Sequence, residues 1–137
     1  MKLSLLSTRL IAITLLLCVH LSHSFASSEG GNGSLFFAIE PAFVVNLAGK
    51  DALTYLQVNV QFKLKKPEYR VQLQAHMPAI QYTMMMLLSD QTIKSINSVQ
   101  GKQALRESAL KSMQQLSQQL IGDPAIDDIY FTGFVIQ

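Results

Sequence analysis

Residues 53–65 read LTYLQVNVQFKLK, and the alternation in this stretch decides the fold. Leu56, Val58, Val60, Phe62 and Leu64 fall on one side, and Tyr55, Gln57, Asn59, Gln61, Lys63 and Lys65 on the other. A period of two sends successive side chains to opposite faces, so the segment is a half-buried strand with a wet outer face. Working upstream, LFFAI (35–39) reads as a strand interrupted at Glu40-Pro41, and FVVNL (43–47) resumes it. Residues 48–51 (AGKD) are the turn that joins it to the alternating strand.

Downstream, residues 67–89 fit two periods. Val71, Leu73, Ala75 and Met77 alternate as in a strand. Tyr69, Leu73, Met77, Ile80, Met84, Leu87 and Leu88 lie on one helical face, which is the longer match. Pro67 suits a first helical turn, whereas Pro78 would remove an intrahelical bond and bend the helix. The expectation is a kinked or two-piece helix. Residues 89–100 are polar and irregular, with room for one helical turn. A second helix is expected over 101–120, with Leu105, Ala109, Met113, Leu116 and Leu120 as its apolar stripe. Glu107 and Lys111 are placed to pair on it, Gly122 to stop it, and Pro124 lies just beyond. Residues 126–137 form the last strand. This order predicts an α+β domain: a mainly antiparallel sheet with two principal helices on one face.

The first 26 residues differ in kind. Lys2 and Arg9 precede a 12-residue apolar run (10–21), and Ser24-Phe-Ala26 follows as a small-x-small site. That is the layout of a secretory signal peptide. The run is short of the roughly 20 residues that span a bilayer. Cleavage after Ala26 and retention as a short membrane anchor both place the remainder beyond the cytoplasmic membrane. The organisation is therefore 1–26 signal peptide or anchor, 27–34 (SSEGGNGS) flexible linker, and 35–137 periplasmic domain. The chain has 11 Lys+Arg against 9 Asp+Glu; without Lys2 and Arg9 the count is 9 against 9. A neutral domain whose only basic cluster is Lys63, Lys65 and Lys66 carries no footprint for nucleic acid.

Catalytic chemistry needs convergent groups. Cys18, the single cysteine, lies in the apolar run, where Leu17 precedes it instead of the small residue of a lipid-attachment site. Beyond residue 26 the only histidine is His76. Asp127-Asp128 has no third ligand nearby and reads as the turn into the last strand. No catalytic residue, cofactor or metal site is expected. One surface candidate stands out: Met84, Met85 and Met86, with Leu87 and Leu88, make a helix apolar nearly all round. Such a run is either a buried helix end or a soft contact surface for a partner or another copy.

Three stretches together carry a resemblance: IEPAFVVNLA (39–48) followed by YLQV (55–58), GKQALRE (101–107), and DIYFTGFVIQ (128–137). Their order and spacing resemble the flagellar basal-body-associated FliL family over residues 35–137. The resemblance implies a non-enzymatic protein with a stomatin/prohibitin-type domain. Members are single-pass inner-membrane proteins, associated with the motor's stator units, that influence flagellar rotation, swarming and chemotaxis. It implies stator and basal-body partners, self-association, and the inner membrane if the N-terminal segment is retained. The motif positions are Pro41, Asn46, Leu47, Gly101, Leu105, Arg106, Tyr130, Phe131 and Phe134. Three features depart from the family: Ala42 between Pro41 and Phe43, Gly133 where Asp is usual, and the short N-terminal run with its eight-residue linker. The competing reading is a soluble periplasmic oligomeric scaffold, a paralogue serving another envelope complex.

Overall fold

The computed structural model describes residues 33–49 and 54–137. The signal or anchor segment, most of the linker and the tip of the first hairpin lie outside the described residues. Three strands form one antiparallel sheet in the order β1-β2-β3: β1 is Phe36–Asn46, β2 Tyr55–Leu64 and β3 Ile126–Ile136. The alternating segment is the central strand. Its five apolar residues are essentially inaccessible to solvent, and Phe37, Ile39, Phe43, Val45, Ile126 and Ile129 join them from the flanking strands.

Glu40-Pro41 interrupts the pairing of the first strand, which resumes at Phe43 as its sequence reads. Ile39 pairs with Val60 and Phe43 with Val58, so residues 40–42 bulge opposite Asn59 alone. A bulge accommodates a proline, whose missing N–H would otherwise leave a gap in the ladder. The Glu40–Pro41 peptide is cis. Two further register shifts in β3 fall between its pairings with Asn59 and Val60 and with Lys63 and Leu64.

The ambiguous segment is helical and in two pieces, α1 (Tyr69–Ala75) and α2 (Met77–Ser89). Tyr69, Leu73, Ile80, Met84 and Leu88 are buried, while Val71, which a strand would have turned inward, is 70% exposed. The break falls at His76, and Pro78 sits in the first turn of α2, where no intrahelical N–H is needed. Pro78 therefore starts a helix instead of bending one. A single turn, α3 (Ile93–Ile96), opens with reciprocal bonds between Thr92 and Ser95.

The long helix α4 is Val99–Ile121, capped by the Ser98 hydroxyl accepting from Gly101 N–H and ended by Gly122 at φ 78°. Its inward residues are Leu105, Ala109, Met113 and Ser117. The expected stripe thus changes at its end: Leu116 and Leu120 are half-buried, and a serine takes the core position. The reason is local. Ser117 Oγ donates to Gln114 C=O and accepts from the Ala125 N–H, satisfying a buried donor where the chain turns into β3. Glu107 accepts from Gln103 Nε2 at 2.8 Å in place of the expected pairing with Lys111. The four described helices lie on one face of the sheet; among the described residues nothing covers the other, bare face.

Candidate interaction surface

Several charged side chains of the domain tie its elements together. Lys63 Nζ and Asp127 Oδ2 pair at 2.6 Å on the bare face. That hydrogen bond holds the Asp127 carboxyl below the usual carboxylate range and raises Lys63. Asp128 instead pairs with Arg106 of α4 and also accepts from the Ile129 N–H. The two acids are part of the strand and form two separate ion pairs, not a turn. Tyr69 donates its hydroxyl to Asp123, and this bond, followed by burial, raises the phenol pKa. Among the described residues there is no group of three His, Cys, Asp or Glu placed to hold a metal ion.

The sheet edges are closed over part of their length. On β1, Arg70 donates to the carbonyls of Ser34 and Phe36 while its guanidinium lies over the Phe37 ring. Gln81 of α2 donates to the Glu40 carbonyl, and at the far end Ala48 N–H bonds to the Gln91 carbonyl. On β3, Gln114 and Arg106 of α4 donate to the carbonyls of Ile126 and Ile129.

What remains open is apolar. Residues 71–89 contain no Lys, Arg, Asp or Glu, so α2 has no charged flank to show to water. The methionine run divides by helical phase. Met84 is fully buried with Ile80 and Leu88, whereas Met85 and Met86 are each 47% exposed beside an exposed Tyr82. Only the latter two therefore contribute to a surface. Met85 and Gln81 line a cleft of about 310 Å³ whose other wall is residues 41–45 of β1.

The motif positions mostly serve the fold. Pro41 lies in the bulge, Asn46 is exposed at the end of β1, and Leu47 packs on the core. Gly101 allows a close approach: a Cβ there would stand 1.9 Å from the Ser95 carbonyl oxygen, so α3 packs against bare α4 backbone. Leu105 is buried and Arg106 holds β3 through Asp128. Tyr130 faces Phe36 across the bare face with ring centroids 6.2 Å apart, and Phe131 lies 5.9 Å from Phe134. Lys102 sits over the Phe134 ring. At Gly133 a Cβ would meet the Asn59 side-chain oxygen at 3.1 Å, so a larger residue requires Asn59 to shift. Sequence reasoning missed the cleft and the edge contacts, which join residues 12 to 43 positions apart in different elements.

Fold and surface together define a small α+β domain whose open surface, among the described residues, is an apolar flank beside an incompletely paired strand edge. The chain belongs to the FliL family: residues 36–137 match the family model described as flagellar basal body-associated protein FliL. A flagellar protein FliL of Aquifex aeolicus (strain VF5) is 24% identical over 103 residues, covering 75% of this chain and 62% of that relative. The chain thus matches less than two thirds of the relative's length. No described helix is long and apolar enough to cross a membrane.

Proposed function

We propose that this protein is a non-enzymatic accessory of the flagellar basal body that supports or regulates the motor stator, and through it rotation, swarming and chemotaxis. The observation that carries the reading is the family match across the whole described domain. An apolar flank beside a partly unpaired edge is what a contact module presents, which agrees with that role. The domain would act on the periplasmic side of the inner membrane, delivered there by residues 1–26 as a cleaved signal or retained as an anchor. Stator and basal-body proteins are its partners in this reading, and copies of the chain associate through the Met85 and Met86 flank.

Deleting the gene tests the proposal. Swimming speed or swarming should fall, with the larger change at high motor load, while flagellar filaments still assemble. Unchanged motility at both low and high load would sink the motor reading and favour an oligomeric scaffold for another envelope complex. The N-terminal residue of the mature protein, read with its membrane or soluble fractionation, separates anchor from signal.

A further inference from the structure

Among the described residues each outer strand of the sheet leaves a window of backbone unpaired at the same end, and these two windows match. In an antiparallel ladder, alternate residues turn their N–H and C=O toward the neighbouring strand and the rest turn outward. Leu47 N–H bonds to the Thr54 carbonyl of the β2 side, and Ala48 N–H bonds outward to Gln91, which fixes the phase. Val44 and Asn46 therefore face outward. Among the described residues nothing bonds them, although side chains or backbone close the edge on either side, at Glu40 and Ala48.

On β3, Gln137 and Tyr55 exchange both backbone bonds, so Phe134 and Ile136 face outward. That edge is closed only further back, at Ile126 and Ile129. Because β1 and β3 both run antiparallel to β2, they are parallel to each other, and both windows lie at the same end of the sheet.

We propose that these windows form a seam between copies of this chain, with β1 of one copy adding in parallel to β3 of the next. In a parallel pair, one residue bonds to the two residues flanking its neighbour. Val44 N–H then donates to the Phe134 carbonyl of the next copy, that copy's Ile136 N–H donates to Val44 C=O, and Asn46 N–H donates to its Ile136 carbonyl. This register aligns Val44 with Val135.

Two independent features agree with it. Val44 and Val135 are 61% and 47% exposed on the same, bare face, so the seam buries one valine against the other. Both also pair with Gln57 inside a single copy, so successive copies join without an offset along the strands.

Charge selects the occupant. Residues 41–46 and 132–136 carry no charge, and neither does α2, whose exposed Met85 lines the cleft beside the β1 window. A charged strand would bury an unpaired ion there; the neutral β3 window of another copy does not. Free edges are ordinarily guarded by Lys, Pro or a bulge; here Pro41 and the 40–42 bulge stop just short of the β1 window and the register shift at Thr132 just short of the β3 window, so Val44, Asn46, Phe134 and Ile136 stand in regular register with β2 and unguarded. The contact is head-to-tail, using a different surface on each partner.

The proposal deepens the self-association part of the reading above, and cysteine cross-linking tests it separately. The full chain carrying Cys18→Ser receives Val44→Cys, Val135→Cys or both, is expressed in cells, and is oxidised in the envelope. Within one copy the two positions are two strand spacings apart, about 9–10 Å, which is beyond the roughly 7 Å reach of a disulfide. The double variant should give a ladder of dimers, trimers and larger species. Each single variant should stay monomeric, and the two singles expressed together should stop at dimers. Val44→Asp, on an exposed edge and harmless to the core, should reduce the association measured by sedimentation at least tenfold.

Dimers from Val44→Cys alone would mean β1 pairs with β1 and would overturn the seam. Cross-links from Val44→Cys to other proteins, with none to Val135→Cys, would overturn it by assigning the edge to a different partner. A deletion that alters motility, with no ladder, removes the seam and leaves the motor reading standing. A ladder with normal motility supports the seam and removes the motor reading.

Discussion

The helices α2 and α4 lie on the same face of the sheet, yet they meet water in opposite ways. Away from its buried stripe, α4 is polar: Gln103, Glu107 and Arg106 bond to one another along it, and Arg106 and Gln114 reach across to β3. On α2 the side chains away from the core include Tyr82, Met85 and Met86, and none is charged. Both helices contribute fully buried side chains to the core. The difference lies wholly on the outside, where α4 is finished as a solvent surface and α2 is not. A helix that is apolar all round and only half-covered is a surface awaiting contact.

The sharpest way to break this comparison is to truncate methionines in pairs. Met84→Ala on α2 and Met113→Ala on α4 should each cost about 2–5 kcal/mol in chemical denaturation, because both side chains are fully enclosed and leave cavities. Met85→Ala, one residue along, should change stability by no more than about 0.5 kcal/mol and show its effect in association. If Met85→Ala destabilised the domain as much as Met84→Ala, the flank would be core and the contrast between the helices would vanish.

A smaller effect is expected at the start of α4. Gly101→Ala drives a methyl into the Ser95 carbonyl, so α3 must move away, at a cost of about 1–3 kcal/mol. Thermal unfolding of the variant measures it. A neutral result would show that the α3–α4 contact is loose, and that the finish of α4 begins after its first turn.

The smallest expected effect is the pH dependence of the Lys63–Asp127 pair on the bare face. Asp127 is lowered in the fold, so its contribution is present above its unfolded pKa and is lost as pH falls through the lower folded value. Lys63 is raised, so its contribution is present below its unfolded pKa and is lost as pH rises through the higher folded value. The pair therefore acts between about pH 4 and pH 10, and Asp127→Asn should flatten stability against pH at the acid side of that window. Both groups are well exposed and salt screens them, so the slope should be shallow and weaker still in high salt.

Legibility in the sequence follows the range of the interaction. The alternation of β2 and the stripe of α4 need no information beyond neighbouring residues, and both elements were readable. The segment 67–89 was readable only as a competition, because the 71–77 portion satisfies two periods at once. The extension of the apolar face to Ile80, Met84 and Leu88 decided it, and that stripe also separates Met84 from Met85 and Met86. Ser117 was not readable as a core residue. Its partner is the Ala125 N–H, which also bonds to the Asp123 carbonyl, and nothing in a helical pattern predicts which donor the following turn will bring back over the helix. The interruption at residues 40–42 and the resumption after it were readable, but not its form, since proline announces a break in pairing without saying how many residues bulge out. The edge contacts were least accessible, because Arg70 meets the Phe36 carbonyl only after the sheet and α1 are both in place.

The fixing of Ser34 and Phe36 by Arg70 has a mechanical consequence. The N-terminal segment joins the domain at the start of β1, and the open windows lie at the opposite end of the sheet. Tension between a membrane attachment and a neighbour bound at the far end would run along the strands. With the neighbour held on β3, it would load the β1–β2 and β2–β3 hydrogen bonds in shear, all together, instead of opening them one at a time. Strands pulled lengthwise resist far better than strands peeled apart, so in the role proposed above the domain would carry its load along the stiff direction of its own sheet.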